Sequence, residues 1–210
     1  MRLRITLAED HTIVLEGLRA LLEKEGFEIV GEAQDGRSAV DLAGRLKPDI
    51  AILDIAMPAL NGIDAAREIL RASPDTRTIL LTIHEENQYV VEALRAGVRG
   101  YLLKTRAASD LVKAIKEVSH GALYISPGPS LDVVKSFLEN KDVKASPLSP
   151  REREVLQLIA EGKSTKEVGA ILGISVKTAE SHRRRIMEKL DIHETATLVR
   201  YAIRQGVIQA

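Results

Sequence analysis

The 210-residue chain has no cysteine and no tryptophan. The first absence excludes disulfides, thiolate metal centres and a cysteine nucleophile, and fits a reducing compartment. The second, with aromatics at only 3%, argues against the stacking platforms that hold single-stranded nucleic acid. No apolar run approaches the roughly 18 residues that suggest a membrane span. Met1-Arg2-Leu3-Arg4 leads into a strand-like run, not a secretory leader. No membrane partner and a cytoplasmic location are therefore expected. Net charge is zero, 30 Lys+Arg against 30 Asp+Glu, but unevenly spread. Residues 1–145 carry 19 basic and 22 acidic side chains, and residues 146–210 carry 11 and 8. The excess of base in the second part hints at a nucleic-acid partner there.

What is present centres on Ile50-Ala51-Ile52-Leu53-Asp54-Ile55-Ala56-Met57-Pro58. A short apolar run that ends in an acid and a proline reads as a buried parallel strand with Asp54 at its C-terminal tip. Pro58 stops the ladder, and Asn61-Gly62 signals a turn. Strand-like runs at 3–8, 27–33, 49–54, 77–82 and 100–103 alternate with helical periodicity at about 12–25, 37–46, 62–72, 86–96 and 107–119. Five such alternations predict an α/β, doubly wound, five-stranded parallel sheet in a domain spanning residues 1–120. Residues 121–147, broken by Pro127-Gly128-Pro129-Ser130, read as an interdomain linker with a helical segment at about 131–139. Residues 148–210 lack strand alternation. Ser149-Pro150-Arg151-Glu152 and Ser164-Thr165-Lys166-Glu167 are capping boxes, and Gly162 and Gly173 punctuate helices at about 150–161, 165–172, 176–190 and 195–205. Helix, glycine turn, helix predicts a small all-α helix-turn-helix domain.

The strand tips of the first domain share one edge of the sheet. They bring together Glu9, Asp10, Asp54, Thr82 and Lys104. Carboxylates this close repel and need a counter-charge. Their hard oxygens suit Mg²⁺, and Lys104 offers a point positive charge for a phosphoryl oxygen. The set describes a phosphoryl-transfer site with a carboxylate nucleophile. In the second domain, Lys177, Glu180, Ser181, Arg184 and Glu188 share one face of the helix 176–190, with Ala179, Ile186 and Leu190 on the other. A polar, Arg-bearing second helix of a helix-turn-helix fits the major groove of double-stranded DNA.

These residues also carry a resemblance. Glu9-Asp10, Asp54-x-x-Met57-Pro58-x-x-x-Gly62, Thr82 and Gly100-Tyr101-x-x-Lys104 make residues 3–120 similar to the receiver domain of two-component response regulators, a flavodoxin/CheY-like fold. Leu148-Ser149-Pro150-Arg151-Glu152-Arg153-Glu154-Val155-Leu156, Gly162-Lys163-Ser164, Ile174-Ser175-Val176-Lys177-Thr178, His182 and Lys189-Leu190 make residues 148–208 resemble the LuxR-type DNA-binding domain. Together they resemble NarL/FixJ-type response regulators.

The resemblance implies that Asp54 accepts a phosphoryl group from a histidine kinase. It places Mg²⁺ on Asp10, Asp54 and the Ala56 carbonyl, with Glu9 acting through water. Thr82 would turn toward the phosphoryl oxygens, Tyr101 would move inward behind it, and Lys104 would hold the phosphate. His84 would lie near the rim. On the second domain it implies that Glu180, Ser181 and Arg184 point at bases and that Lys177, Thr178 and Arg185 lie near phosphates of promoter DNA. A homodimer is expected on phosphorylation, with the receiver covering the recognition helix beforehand. The only catalysis expected is the receiver's own phosphoryl transfer and autodephosphorylation. Two rival readings are a receiver that serves only for dimerisation and an aspartyl-phosphate phosphatase. The latter lacks the second aspartate of the haloacid-dehalogenase pattern, because that position is Ala56.

Overall fold

The structure is a computed structural model, and it describes residues 2–83, 87–127 and 147–208. A parallel sheet in the order β2-β1-β3-β4-β5-β6 forms the first unit. Its strands are β1 (Arg4–Ala8), β2 (Glu28–Ala33), β3 (Ile50–Asp54), β4 (Arg77–Thr82), β5 (Gly100–Leu103) and β6 (Tyr124–Ile125). Helices α1 (Thr12–Lys24), α2 (Gly36–Leu46), α3 (Gly62–Ala72), α4 (Asn87–Arg95) and α5 (Ala107–Ser119) connect them.

Every residue of β3 is buried, as a strand covered on both faces requires. One apolar layer joins Leu53, Leu60, Ala66, Ile69, Leu80 and Val90 under α2, α3 and α4. The opposite layer joins Leu7, Leu18, Leu22, Ile52, Leu81 and Ile115 under α1 and α5. From β1 the chain winds outward to β2, then back across to β3, so the order reverses between β1 and β3. A parallel sheet opens its ligand crevice at that reversal, beyond the strand C-termini.

The sixth strand departs from the five expected. It lies within residues read as linker, pairing Gly100 with Tyr124 and Tyr101 with Ile125. Two residues are too few to show an alternating pattern. Tertiary contacts hold it instead: Ser126 N–H donates to the Tyr101 carbonyl at 2.8 Å, and the Lys113 ammonium sits 5.8 Å from the Tyr124 ring centroid. The helical segment expected at 131–139 and His84 lie outside the described residues.

The second unit holds α6 (Pro150–Ala160), α7 (Thr165–Leu172), α8 (Val176–Leu190) and α9 (Thr195–Arg204). Both capping boxes form, at Ser149/Glu152 and Ser164/Glu167. Gly173 ends α7 in the left-handed region at φ 63°, which costs a residue without a Cβ little. Val155, Leu156, Ile159, Val168, Ala179, Ile186 and Leu198 form its core. The two units touch: α6 lies against the loop between β3 and α3 through a hydrogen bond from Gln157, and against the first turn of α3 through one from Arg153.

Candidate phosphoryl-acceptor pocket and nucleic-acid interface

Asp54 ends β3, level with Leu81 of β4. Behind it the chain turns so tightly that a Cβ on Gly62 would lie 2.0 Å from the Asp54 carbonyl oxygen, and the Gly62 N–H donates to the Ile55 carbonyl at 2.8 Å. Asn61 caps α3 by accepting from the Asp64 N–H at 2.9 Å, which fixes where the loop stops. Glu9 and Asp10 follow β1 on the adjacent strand tip. Glu9 is 1% exposed and Asp54 2% exposed.

The Lys104 ammonium lies 3.0 Å from Asp54 Oδ1 and 2.9 Å from Glu9 Oε2. Lys104 starts a 3₁₀ turn directly after β5, so the strand end places its base above the acids. Burial holds the Asp54 carboxyl above its ordinary range, and the Glu9 charge adds to this while Lys104 opposes it. Burial alone would pull the Lys104 ammonium down, but facing Asp54 and Glu9 leaves it raised overall. Lys104 is thus the counter-charge that opposes the rise at Asp54.

Among the described residues, three buried oxygens of this pocket have no hydrogen-bond donor: Glu9 Oε2, Asp10 Oδ1 and Asp54 Oδ2. Two of them have a close nitrogen that does not make a hydrogen bond, Lys104 Nζ at 2.9 Å from Glu9 Oε2 and His11 Nδ1 at 2.8 Å from Asp10 Oδ1. Buried carboxylate oxygens without donors are what a hard divalent cation satisfies. The residues therefore fit a metal. Glu9, Asp10 and His11 place ligand atoms within 4.8 Å of one another.

His11 was not among the expected site residues. Its adjacency to Glu9-Asp10 was the available signal. The Glu9 carboxylate, then Asp10, hold its imidazole pKa above the ordinary 6.5. Ala56, the expected backbone ligand, is half-buried two residues beyond Asp54. Thr82 is 1% exposed at the tip of β4. Tyr101, expected to move inward, already stands inside the α2–α4 layer at 1% exposure.

On α8 the expected contact residues occupy one open surface. Lys177, Thr178, Glu180, Arg184 and Arg185 are exposed and Ser181 is half-buried, while Ala179 and Ile186 are buried. Ser175 caps the helix by accepting from the Thr178 N–H at 3.1 Å. Arg183 is committed elsewhere, donating to Thr195 Oγ1 at 2.7 Å. Arg184 approaches Glu188 at 3.8 Å across one turn, a contact of solvated groups that water and salt screen. The receiver does not cover this helix, contrary to the expectation. It meets α6 instead, because Arg153 and Gln157 face away from the helix-turn-helix core and find buried partners in the first turn of α3 and on the β3–α3 loop.

No helix among the described residues is long and apolar enough to cross a membrane. Residues 5–116 match the response regulator receiver domain, and residues 146–202 match the bacterial regulatory proteins of the luxR family. The transcriptional regulatory protein MctR of Rhizobium johnstonii is 36% identical over 208 residues, covering 99% of this chain and 96% of that protein. The response regulator UvrY of Escherichia coli is 34% identical over 211 residues, covering 99% and 97%. Among solved structures, RcsB from Salmonella enterica serovar Typhimurium, bound to promoter DNA in the presence of the phosphomimetic BeF3−, superposes with a TM-score of 0.65. It shows 29% identity, over 96% of this chain and 98% of that one. The acid-and-lysine pocket at the strand tips and the open helix of a capped helix-turn-helix belong to one architecture, and the chain is a member of the NarL/FixJ-type response regulators, with a receiver domain and a LuxR-type DNA-binding domain.

Proposed function

We propose that Asp54 is the phosphoacceptor and that its phosphorylation controls how the chain dimerises and binds double-stranded promoter DNA. The observation that carries this is the Lys104 ammonium held between Asp54 and Glu9, beside an Asp54 oxygen with no donor. The donor is the phosphohistidine of a histidine kinase. An Asp54 carboxylate oxygen attacks phosphorus, the P–N bond breaks, and the leaving imidazole takes up a proton. In-line transfer of this kind depends on positioning and charge neutralisation more than on covalent help from the protein.

Asp10, Asp54 and the Ala56 carbonyl would hold Mg²⁺, with Glu9 acting through water. The cation would neutralise charge building on the phosphoryl oxygens. Lys104 exchanges its carboxylate contact for a phosphoryl oxygen, and the Thr82 hydroxyl donates to another. The chain turns over no separate substrate: its chemistry is its own phosphorylation and hydrolysis of the resulting acyl phosphate. A phosphorylated homodimer in the cytoplasm reads paired half-sites, with Glu180, Ser181 and Arg184 toward bases and Lys177, Thr178 and Arg185 toward phosphates.

The test is to expose the full chain and Asp54→Ala to acetyl phosphate with Mg²⁺, then read intact mass and duplex-DNA binding. Wild type is expected to gain one phosphoryl group and to bind more tightly, and the variant to do neither. Equal phosphorylation of both proteins would remove Asp54 from its role. A phosphate gained without change in dimerisation or DNA binding would uncouple the two domains.

A further inference from the structure

We propose that Glu180 reads a cytosine, and that Glu180 and Arg184 together select one C and one G in the core of each DNA half-site. This rests on the DNA-binding reading above and gives it a sequence. The observation behind it is a carboxylate left without a partner among cations. On α8, Lys177 stands at i−3, Arg183 at i+3 and Arg184 at i+4 from Glu180, the spacings at which helical side chains meet. None of the three takes it. Arg183 donates to Thr195 Oγ1 at 2.7 Å, and Arg184 leans the other way, 3.8 Å from Glu188. Among the described residues Glu180 has neither a hydrogen bond nor an ion pair, and it is exposed.

In water such a carboxylate costs little. Against DNA it faces the phosphates on both walls of the groove, and its water is stripped as the helix seats. It then needs a hydrogen-bond donor, because a carboxylate only accepts. In the major groove guanine presents the acceptors N7 and O6, and thymine presents O4 and a methyl, so both are closed to it. Donors come from cytosine N4 and adenine N6 alone. Beside adenine N6 lies N7, an acceptor whose lone pair meets the second carboxylate oxygen. Beside cytosine N4 lies a C–H. Cytosine is therefore the base whose edge suits Glu180.

Arg184 supplies the opposite chemistry. It is exposed, held only by the loose Glu188 contact, and its forked donors match O6 and N7 of guanine. Four residues along α8 advance about 6 Å, against roughly 3.4 Å per base pair, so the two side chains reach bases about two steps apart or fewer. The carboxylate also rejects. Every sequence that offers it no donor leaves it unpaired beside phosphates, which weakens wrong sites more than it strengthens the right one.

The test starts from a random duplex library, which requires no known operator. The full chain, phosphorylated with acetyl phosphate and Mg²⁺, selects sequences in parallel with Glu180→Gln and Arg184→Ala, and the enriched motifs are compared position by position. Wild type is expected to enrich a motif with C at one position and G within about two steps of it, on either strand. Glu180→Gln should move that C toward A, because an amide donates to N7 while accepting from N6, and leave the other positions as they were. Arg184→Ala should relax the G alone. On the selected duplex, N4-methylcytosine keeps the base pair but puts a methyl in place of the groove-facing N–H. It should weaken wild type by about 10-fold, within the range of one mismatched pair. The same change should leave Glu180→Ala within about 2-fold, as a double cycle requires once the partner is gone.

A motif unchanged by Glu180→Gln, with tighter binding to every duplex, would overturn the inference and make Glu180 a solvated charge. Equal losses on N4-methylcytosine in wild type and Glu180→Ala would do the same. Either result leaves DNA binding itself standing. Enrichment of no sequence by wild type would instead remove the DNA-binding reading, and the base assignment with it. Asp54→Ala selected in parallel at higher protein concentration should give the wild-type motif, which supports the assignment whether or not phosphate governs affinity.

Discussion

The receiver pocket and the face of α8 solve opposite problems. The pocket gathers like charges in a buried crevice, where Glu9 and Asp54 are almost fully enclosed and one ammonium serves both. The α8 face spreads its charges in water, where Arg184 and Glu188 are both mostly exposed and meet only loosely. In the pocket, low polarity makes each contact strong and each missing partner costly. On the helix, screening makes every contact weak until DNA displaces the water and counterions. The pocket is built before its ligand arrives, while the helix face is completed by its ligand.

Substitutions can sharpen this contrast, and the largest effects belong to the pocket. Asp54→Ala is expected to abolish phosphoryl uptake entirely, read as no mass gain. Gly62→Ala should come next, because its methyl would overlap the Asp54 carbonyl. Overpacking of this kind costs about 1–3 kcal/mol, visible as a lower urea midpoint of the receiver transition. On the helix, Arg184→Ala should cost about 1–3 kcal/mol of discrimination at one base position. Lys177→Ala should instead weaken all sequences alike and lower the salt slope by about one. A Lys177→Ala variant that changed sequence preference would break the division into phosphate and base contacts.

Smaller still is the cap of α6. Ser149→Ala should destabilise the helical unit by about 1 kcal/mol, measured by thermal denaturation. The capping partner adds a pH dependence. Burial would raise the Glu152 carboxyl, but the hydrogen bonds from Lys189 and Ser149 outweigh it and leave its pKa below the usual 4.5. A depressed folded-state value means that the stabilisation is complete above the unfolded value and is lost as pH falls through the folded one. Stability of the second unit should therefore fall more steeply below pH 4.5 in wild type than in Glu152→Gln.

Much of the fold was legible because both domains follow local rules. The run Ile50–Leu53, short and stopped by Asp54 and Pro58, reads as a doubly covered strand, and the two capping boxes marked helix starts that the structure shows forming. The pocket was legible because parallel strands deliver their tips to one edge. What was not legible depends on distant pairing. β6 is two residues held by Tyr101 and Lys113. Arg153 and Gln157 look like the polar side of an ordinary amphipathic helix, and their partners lie 89–100 residues away. The recognition helix was expected under the receiver because the family resemblance implies it, and nothing in the sequence of α6 says that its polar stripe will be claimed instead.

β6 also shortens the leash. The Ser126 N–H anchors the chain to the sheet edge, so residues 127–148 are all that separate it from the cap of α6. A tether of that length gives two modules a mutual concentration in the millimolar range. A dock with only millimolar intrinsic strength would then be closed about half the time. The contact of α6 with the β3–α3 loop need not be strong to be populated: near that balance point, a change of about 3-fold in its strength moves the closed fraction from about one half to about one quarter.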